Sequence, residues 1–355
     1  MPKPKRLPRV LILYNLPVLP PDHPDCASEV DVIETVDEIV KVFPADQYAI
    51  ERFGYARKPQ DLLRKLKAWK PDAVFNLFEG EADRTETEIH NAALMESFGV
   101  SFTGAGSFGL ALARDKVRTK YLLQGAGVRS APFQVVERLP AGDWPHAWPA
   151  IVKPACQDAS VGIDQGSVVT TAAELEARVA YVFEKYGGPA LVEQFIHGRE
   201  LHVNMFEEPD GLLRIIPPAE LRFEYPPGQK LWPIYSYEAK WNEQSVEYKS
   251  IPLDCGITLP SPLAERVTEI CTTAYRLTGM RDYARVDLRV TGDGEPFVIE
   301  VNPNPHLNSL IVVDGLKAMG RQFPEFVRGL VANALARGTK PVPRRRSQEN
   351  GSGTS

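Results

Sequence analysis

Two carboxylates near the C-terminal end of this chain are placed to face each other. The segments Asp282-Tyr-Ala-Arg-Val-Asp-Leu-Arg-Val290 and Pro296-Phe-Val-Ile-Glu-Val-Asn302 alternate apolar and polar residues around Asp293-Gly294. An Asp-Gly pair between alternating runs is a strong local hairpin signal. With that pair as the turn, Val286 faces Val301, Leu288 faces Ile299 and Val290 faces Phe297 on one apolar side. On the other side Asp287 lies opposite Glu300, and Arg285 lies opposite Asn302. Like charges directly opposed on paired strands are destabilising, so the arrangement calls for a cation. Oxygen donors from Asp, Glu and Asn suit a hard divalent ion. Mg2+ in particular takes one or two carboxylates and leaves its other positions to phosphates and water. A solvated face with a local Arg-Asp pair is the plainer reading, and it leaves the facing carboxylates unexplained.

A second feature is Lys153, at the end of the apolar run 150–154 and just before the small-residue loop Ala155-Cys-Gln-Asp-Ala-Ser-Val-Gly162. A lysine beside a flexible loop holding Ser160 and Gly162 can grip a phosphate through charge and backbone N–H groups. Lysines at strand ends more often simply run out to water, so this signal is weak alone. The chain has no GxxxxGK[ST]. Gly104-Ala-Gly106-Ser-Phe-Gly109 fits GxGxxG, but a lone match is poor evidence for a dinucleotide site.

The elements that must position these groups follow from periodicity. Residues 10–15, 48–53 and 73–78 read as strands, with a further short strand at 101–103. Between them fall three helices. The first is capped by Ser28 with Val30, Ile33, Ile39, Val40 and Phe43 as its stripe; the others cover 59–69 and about 86–98. Such alternation predicts a parallel sheet with helices on its faces, whose ligands bind at the strands' carboxyl ends. The loops 17–29 and 79–86 are therefore candidate substrate loops. Farther on, 108–125 reads as a helix, 139–149 as a Pro- and Trp-rich connection, and 150–154 as a strand. Residues 172–186 form a helix and 190–195 a strand, 207–234 is irregular, and 262–278 is helical.

Composition bounds the class. At 355 residues the chain exceeds one small core and calls for two or three domains. Its 43% hydrophobic and 25% charged content is that of an ordinary globular protein. A net charge of −5 without a basic stripe argues against nucleic acid as a partner. Cys26, Cys156, Cys255 and Cys271 show neither metal spacing nor a disulfide framework, which implies a reducing cytoplasm. The basic start and the apolar run 10–14 make a poor signal peptide, because the run is short and no small-residue cleavage site follows. No stretch has the length of a membrane span. The polar tail is expected to lack fixed structure.

Taken together, the pieces resemble the ATP-grasp superfamily and, within it, the D-alanine–D-alanine ligases, over residues 10–335. The resemblance rests on Phe102-Thr-Gly-Ala-Gly, Asp115-Lys116, Ile151-Val-Lys-Pro-Ala, Ser160-Val-Gly and Leu191-Val-Glu-Gln-Phe. It continues through Gly198-Arg-Glu200, Tyr237-Glu-Ala-Lys240, Arg285-Val-Asp287 and Glu300-Val-Asn302. It implies a mixed α/β and α+β chain, an ATP-grasp fold behind an N-terminal doubly wound parallel-sheet domain. Its expected limits are 1–105 for that domain, 106–190 and 191–338 for the two ATP-grasp subdomains, and 339–355 for a disordered tail. By resemblance, Lys116, Lys153 and Lys240 contact ATP phosphates, with Ser160 in the covering loop. Glu193, Phe195 and Ile196 line the adenine pocket, and Glu200 binds ribose hydroxyls. Asp287, Glu300 and Asn302 hold two Mg2+ ions (or Mn2+). Arg285 stabilises an acyl phosphate and the oxyanion that follows. The implied substrates are a small carboxylate and an amine, and the implied assembly is a homodimer.

Departures from the family cluster around the amino-acid substrates. The family closes a mobile loop with a linked Glu, Ser and Tyr. Glu29 matches the first, but Ala159 stands for the Ser and Trp241 for the Tyr. Glu79 precedes Gly80 where the family has His, and Pro305-His306 replaces Pro-Gly. Losing a hydroxyl pair from a buried network removes specific hydrogen bonds. The expected function is therefore an ATP-dependent carboxylate–amine ligase with an altered substrate pocket. A true D-alanine–D-alanine ligase, a small-molecule kinase and a non-catalytic nucleotide-binding regulator are the alternatives. The regulator would be marked by loss of Lys153, Arg285 or a metal ligand, and all are present.

Overall fold

The computed structural model describes residues 6–20, 26–81, 84–157, 160–307 and 309–338, with backbone only at 26–31. The first sheet is parallel, with β1 (Arg9–Asn15) between β2 (Ala49–Tyr55) and β3 (Ala73–Leu77). Helix Cys26–Lys41 packs Val32, Val36 and Ile39 against Val10, Ile12 and Phe75. Helix Pro59–Trp69 packs Leu62 and Leu66 against Leu11, Leu13 and Val74 on the opposite face. The near-continuous apolar runs of β1 and β3 are what a strand covered on both sides requires. The first helix begins at Cys26, which puts Ser28 inside its first turn instead of at its cap. The side chains of Ser28 and Val30 lie outside the described residues. Residues 101–103 contribute only a bridge from Phe102 to Val74.

The helical pattern over 108–125 divides into Ser107–Arg114 and Lys116–Gly125. Asp115 breaks it, because its carboxylate accepts the Arg118 backbone N–H (2.8 Å) and caps the second helix. That break sets Lys116 at a helix start.

The second sheet is antiparallel, from β4 (Phe133–Val136), β5 (Ala150–Pro154), β6 (Val168–Val169) and β7 (Ala190–Gln194), in the order β4-β7-β5-β6. Helix Ala172–Tyr186 covers one face with Leu175, Val179 and Val182. The expected limit between 190 and 191 falls inside β7.

The third sheet holds β8 (Arg199–Glu207), β9 (Leu213–Ile215), β10 (Ala219–Leu221), β11 (Leu253–Asp254), β12 (Tyr283–Val290) and β13 (Pro296–Pro303). Its order is β11-β10-β8-β12-β13, with β9 also on β8. The segment 207–234, expected to be irregular, thus contributes two three-residue strands. Leu201, Val203, Val286 and Leu288 face helix Ser261–Leu277 through Leu263, Val267 and Cys271. The other face carries the charged residues. Helices Leu310–Ala318 and Phe323–Arg337 complete the chain.

The hairpin keeps the expected pairs Arg285–Asn302, Val286–Val301 and Asp287–Glu300. Beyond Asp287 the register slips, so Leu288 pairs with Val298, Arg289 with Phe297 and Val290 with Pro296. The turn explains the correction. Thr291 N–H donates to Glu295 O (3.0 Å), closing a three-residue loop around Asp293 where a two-residue turn was expected. A bulge at Ile299 absorbs the extra residue and restores the facing carboxylates.

Candidate active site

The polar face of the third sheet is ordered in cross-strand rows. Asn204, Arg285 and Asn302 form one row, and His202, Asp287 and Glu300 the next. Glu200 and Arg289 form a third. Strand geometry creates this grouping, because alternate residues on β8, β12 and β13 share a face.

Arg285 grips Asp287 with two bonds, Nε to Oδ1 (2.7 Å) and Nη2 to Oδ2 (2.9 Å). Burial works against the guanidinium's charge, and Asp287 outweighs it, so Arg285 is held more firmly protonated than usual. Asn302 Nδ2 donates to Asp287 Oδ2 (2.9 Å) and Glu300 Oε1 (3.3 Å). Turned over, the same amide offers its oxygen to a cation. Lys116 Nζ lies 3.5 Å from Glu300 Oε2. Burial also works against the Glu300 carboxylate, but Lys116, Lys153 and Arg285 together hold its pKa well below the usual range.

A second charge cluster backs the first. Glu193, buried on β7, is ion-paired to Lys120 on one oxygen and to Lys153 Nζ on the other (2.8 Å). Burial alone would raise the Glu193 pKa; Lys120 and Lys153 reverse that and pull it down to about 2. The Glu193 carboxylate is thus turned toward the two lysines. Lys120 is 2% exposed, and burial pushes its pKa down. Lys116 and Lys120 are four apart on one helix, so their spacing marks a shared face that the sequence reading did not use.

A pH dependence follows. The Glu193 pKa falls on folding, so its contribution to stability is complete above its ordinary value of 4.5 and is lost as pH drops toward about 2. A Glu193→Gln variant should melt well below wild type at pH 6, by an amount on the order of 3 kcal/mol. The gap should close progressively as pH falls below about 4.5. Thermal melts of both proteins across that window check this; a gap unchanged down to pH 2.5 would exclude the lysine-held carboxylate.

Lys153 leads into a loop whose described part at 160–165 is stitched to the segment 232–241. Ser160 Oγ donates to Tyr235 O (2.9 Å), Tyr237 N–H to Ile163 O (2.9 Å), and Trp232 N–H to Gln165 Oε1 (2.7 Å). Ser160 sits in the left-handed region (φ 63°). Its hydroxyl is thus occupied within the protein. The stitched segment ends in helix Tyr237–Trp241, capped by Ser236 and carrying Lys240. Burial pushes the Lys240 pKa down; Arg285 acts the same way, against Glu300, Asp287 and Glu79. Lys240 therefore shares one electrostatic neighbourhood with the hairpin.

Phe195 is buried edge-to-face against Trp232 (5.6 Å), and the Arg289 guanidinium lies 5.3 Å over its ring. Ile196 beside it is half-buried. Glu200 accepts from Arg289 Nη2 (2.8 Å) with His202 Nε2 at 3.6 Å. Burial would raise the Glu200 pKa, and Arg289 and then His202 lower it. Arg289, His202 and Asn204 were missed in the sequence. Arg289 continues the period-two series from Arg285 and Asp287, a signal that was available.

Of the residues that depart from the family pattern, Glu79 and His306 border one small cavity and Trp241 sits beside Lys240. Glu79 N–H donates to Asn15 Oδ1 (3.1 Å) at the end of the parallel sheet. Glu79 lines a small cavity of about 30 Å3 with Thr35, Glu88, Tyr283, Asn304 and His306. His306 Nε2 lies 3.1 Å from Thr35 Oγ1. The Trp241 ring is 45% exposed, with Lys240 Nζ 5.1 Å from its centre. The Glu29 side chain and Ala159 lie outside the described residues. The GxGxxG match is a structural joint. Gly104 N–H donates to Asp282 Oδ2 (2.8 Å), its carbonyl accepts from Arg281 Nε (2.7 Å), and a Cβ there would sit 2.3 Å from Asn304 Oδ1.

Among the described residues no three His, Cys, Asp or Glu side chains form a metal cage. The hairpin instead offers two carboxylates and an amide, surrounded by Lys116, Lys153, Lys240 and Arg285. Such an excess of positive charge rejects a bare cation and suits one that arrives with a polyphosphate.

Comparison with known proteins agrees. The family described as D-ala D-ala ligase C-terminus matches residues 122–332. A D-alanine–D-alanine ligase of Desulforudis audaxviator is 33% identical over 81% of this chain and 91% of its own. That of Geobacter sulfurreducens is 30% identical over 81% and 86%. An uncharacterized protein of Sinorhizobium fredii, y4sG, is 32% identical over 73% of each chain. In fold, the chain matches the D-alanine–D-alanine ligase of Bacillus anthracis solved with ATP, with a TM-score of 0.71 at 21% identity, covering 94% of this chain and 99% of that one. The chain belongs to the D-alanine–D-alanine ligase family of the ATP-grasp superfamily, whose members are ATP-dependent ligases forming C–N bonds.

Proposed function

We propose that this protein uses ATP to join a small carboxylic acid to an amine, both of amino-acid type, in a pocket changed from one fitted to D-alanine. The observation that carries the ATP half is the ring of lysines and Arg285 around facing carboxylates. Lys116, Lys153 and Lys240 would hold the phosphates, and Asp287, Glu300 and Asn302 would hold Mg2+ or Mn2+. The ion supplies charge neutralisation for phosphoryl transfer. Phe195, Ile196 and the Glu193 backbone would line the adenine pocket, with Glu200 at the ribose and the Ser160 loop over the phosphates. Arg285 Nη1 would meet the oxygen on which charge develops, and Glu29 would face the substrate amine. On family grounds the assembly is a homodimer. The free thiols of Cys255 and Cys271 support a cytoplasmic setting.

The names of the relatives favour a second reading, D-alanine–D-alanine ligase itself. An ATP-turnover screen over amino acids and small acids, read by product mass, decides between the two. ADP release that needs no added amine would point to a kinase instead.

Lys153 is expected to act through charge. Lys153→Met keeps most of the stem and leaves Glu193 still paired with Lys120, so the fold should survive. Affinity for a nonhydrolysable ATP analogue should fall about tenfold or more. Calorimetry showing unchanged affinity would remove Lys153 from the phosphate site.

A further inference from the structure

Asn204 lies on β8 directly opposite Arg285, in one cross-strand row with Asn302. It is 4% exposed, and neither Oδ1 nor Nδ2 finds a hydrogen-bond partner among the described residues. An amide buried in that condition weakens the ligand-free fold, because both its donor and its acceptor have left water without replacement. A leucine of similar size would cost nothing of the kind, so the amide calls for a role in another state.

The neighbouring arginine supplies one. Arg285 places Nε and Nη2 on both oxygens of Asp287 (2.7 and 2.9 Å). A divalent ion on Asp287 competes for those same oxygens and repels the guanidinium across a few ångströms of low dielectric. Arg285 must then release Asp287, and its freed N–H groups need an acceptor. Glu200 is already held by Arg289 (2.8 Å) and Glu300 faces Lys116 (3.5 Å). Residues directly opposite on paired strands bring their Cβ atoms to about 5 Å. That puts the Asn204 carbonyl oxygen within an arginine's reach.

We propose that Asn204 is the second resting place of Arg285: when a divalent ion takes Asp287, the guanidinium moves to Asn204 Oδ1 and keeps Nη1 toward the cleft. Asn204 is thus a positioning residue that touches neither nucleotide nor metal. The inference rests on the reading of Asp287 as a metal ligand.

The test is calorimetric binding of a nonhydrolysable ATP analogue, with and without Mg2+, to wild type, Asn204→Leu, Asn204→Asp, Arg285→Met and the Asn204→Leu/Arg285→Met double variant. Asn204→Leu should bind the Mg2+-loaded analogue about tenfold more weakly, the scale of one hydrogen bond to a charged group, with metal-free binding unchanged. In the Arg285→Met background the same substitution should have no further effect, since Asn204 acts only through Arg285. Asn204→Asp keeps the acceptor and should stay within about threefold of wild type. Metal-free Asn204→Leu should melt no lower than wild type. If the leucine fails to fold, Asn204→Ala carries the same comparison. An unchanged Mg2+-loaded affinity, an equal loss without Mg2+, or an equal loss in the Arg285→Met background overturns the proposal. A wild type whose affinity ignores Mg2+ would instead refute the metal reading, and this inference with it.

Discussion

Glu300→Gln should lower kcat/KM for ATP consumption by about a thousandfold or more while circular dichroism stays that of the wild type. The substitution keeps shape and hydrogen-bonding length and removes only the charge. Lys116, Lys153 and Arg285 hold the Glu300 pKa far below neutrality, so the native group is fully ionised at working pH. What the variant loses is therefore a real anion at the meeting point of β12 and β13. Its three cationic neighbours lose a counter-charge at the same time, and the melting temperature should drop by a few degrees. Asp287→Asn should match it in activity, and it should also free Arg285 from its two-bond grip. Steady-state ADP release with excess Mg2+ measures both. Activity within a few-fold of wild type in either variant would mean that these carboxylates neutralise Arg285 and Lys116 and hold no metal.

What could be read from the sequence divides along a physical line. The facing pair Asp287–Glu300 was legible because strand pairing has period two and one apolar face fixes the register. The slip beyond it was not, since Gly292-Asp293-Gly294 supports a two- or a three-residue loop equally well. The Thr291–Glu295 closure selects the three-residue loop, and the bulge it requires sets Val298 beside Leu288 in the core. The parallel sheet was legible from the apolar runs of β1 and β3. The nine residues of β8 were not, because Leu-His-Val-Asn-Met-Phe is buried throughout and mixes polar with apolar side chains. That strand carries Glu200, His202 and Asn204, so missing it hid His202 and Asn204 and left Glu200 to the resemblance alone. The Lys120–Glu193–Lys153 cluster escaped for another reason. Its three members come from a helix and two strands that only the tertiary fold brings together. The division of the helical pattern at Asp115 was in principle readable, since Asp is a favoured helix N-cap residue. Continuous apolar periodicity on both sides masked it.

D-alanine should be a poor substrate, with kcat/KM below about 10⁴ M⁻¹s⁻¹ and at least about a hundredfold short of the best substrate found. A cavity of about 30 Å3 lies between the parallel sheet and the 304–307 loop. Glu79 and Glu88 give it two carboxylates, and His306 reaches Thr35 across it (3.1 Å). Glu79 puts a carboxylate beside this cavity where the family has a histidine, and His306 fills space that a glycine would leave open. On the far side, Trp241 has only an indole N–H to donate where a hydroxyl would both donate and accept. Polar sites discriminate steeply when a partner is missing, whereas an apolar pocket forgives a methyl. Ala159→Ser combined with Trp241→Tyr should raise D-alanine turnover severalfold and lower that on the best substrate. A full exchange of specificity is not expected, because loop closure draws on many contacts that act as a unit. Efficient D-alanyl-D-alanine formation by the wild type would refute the altered pocket, with Trp241 then closing the site by packing alone.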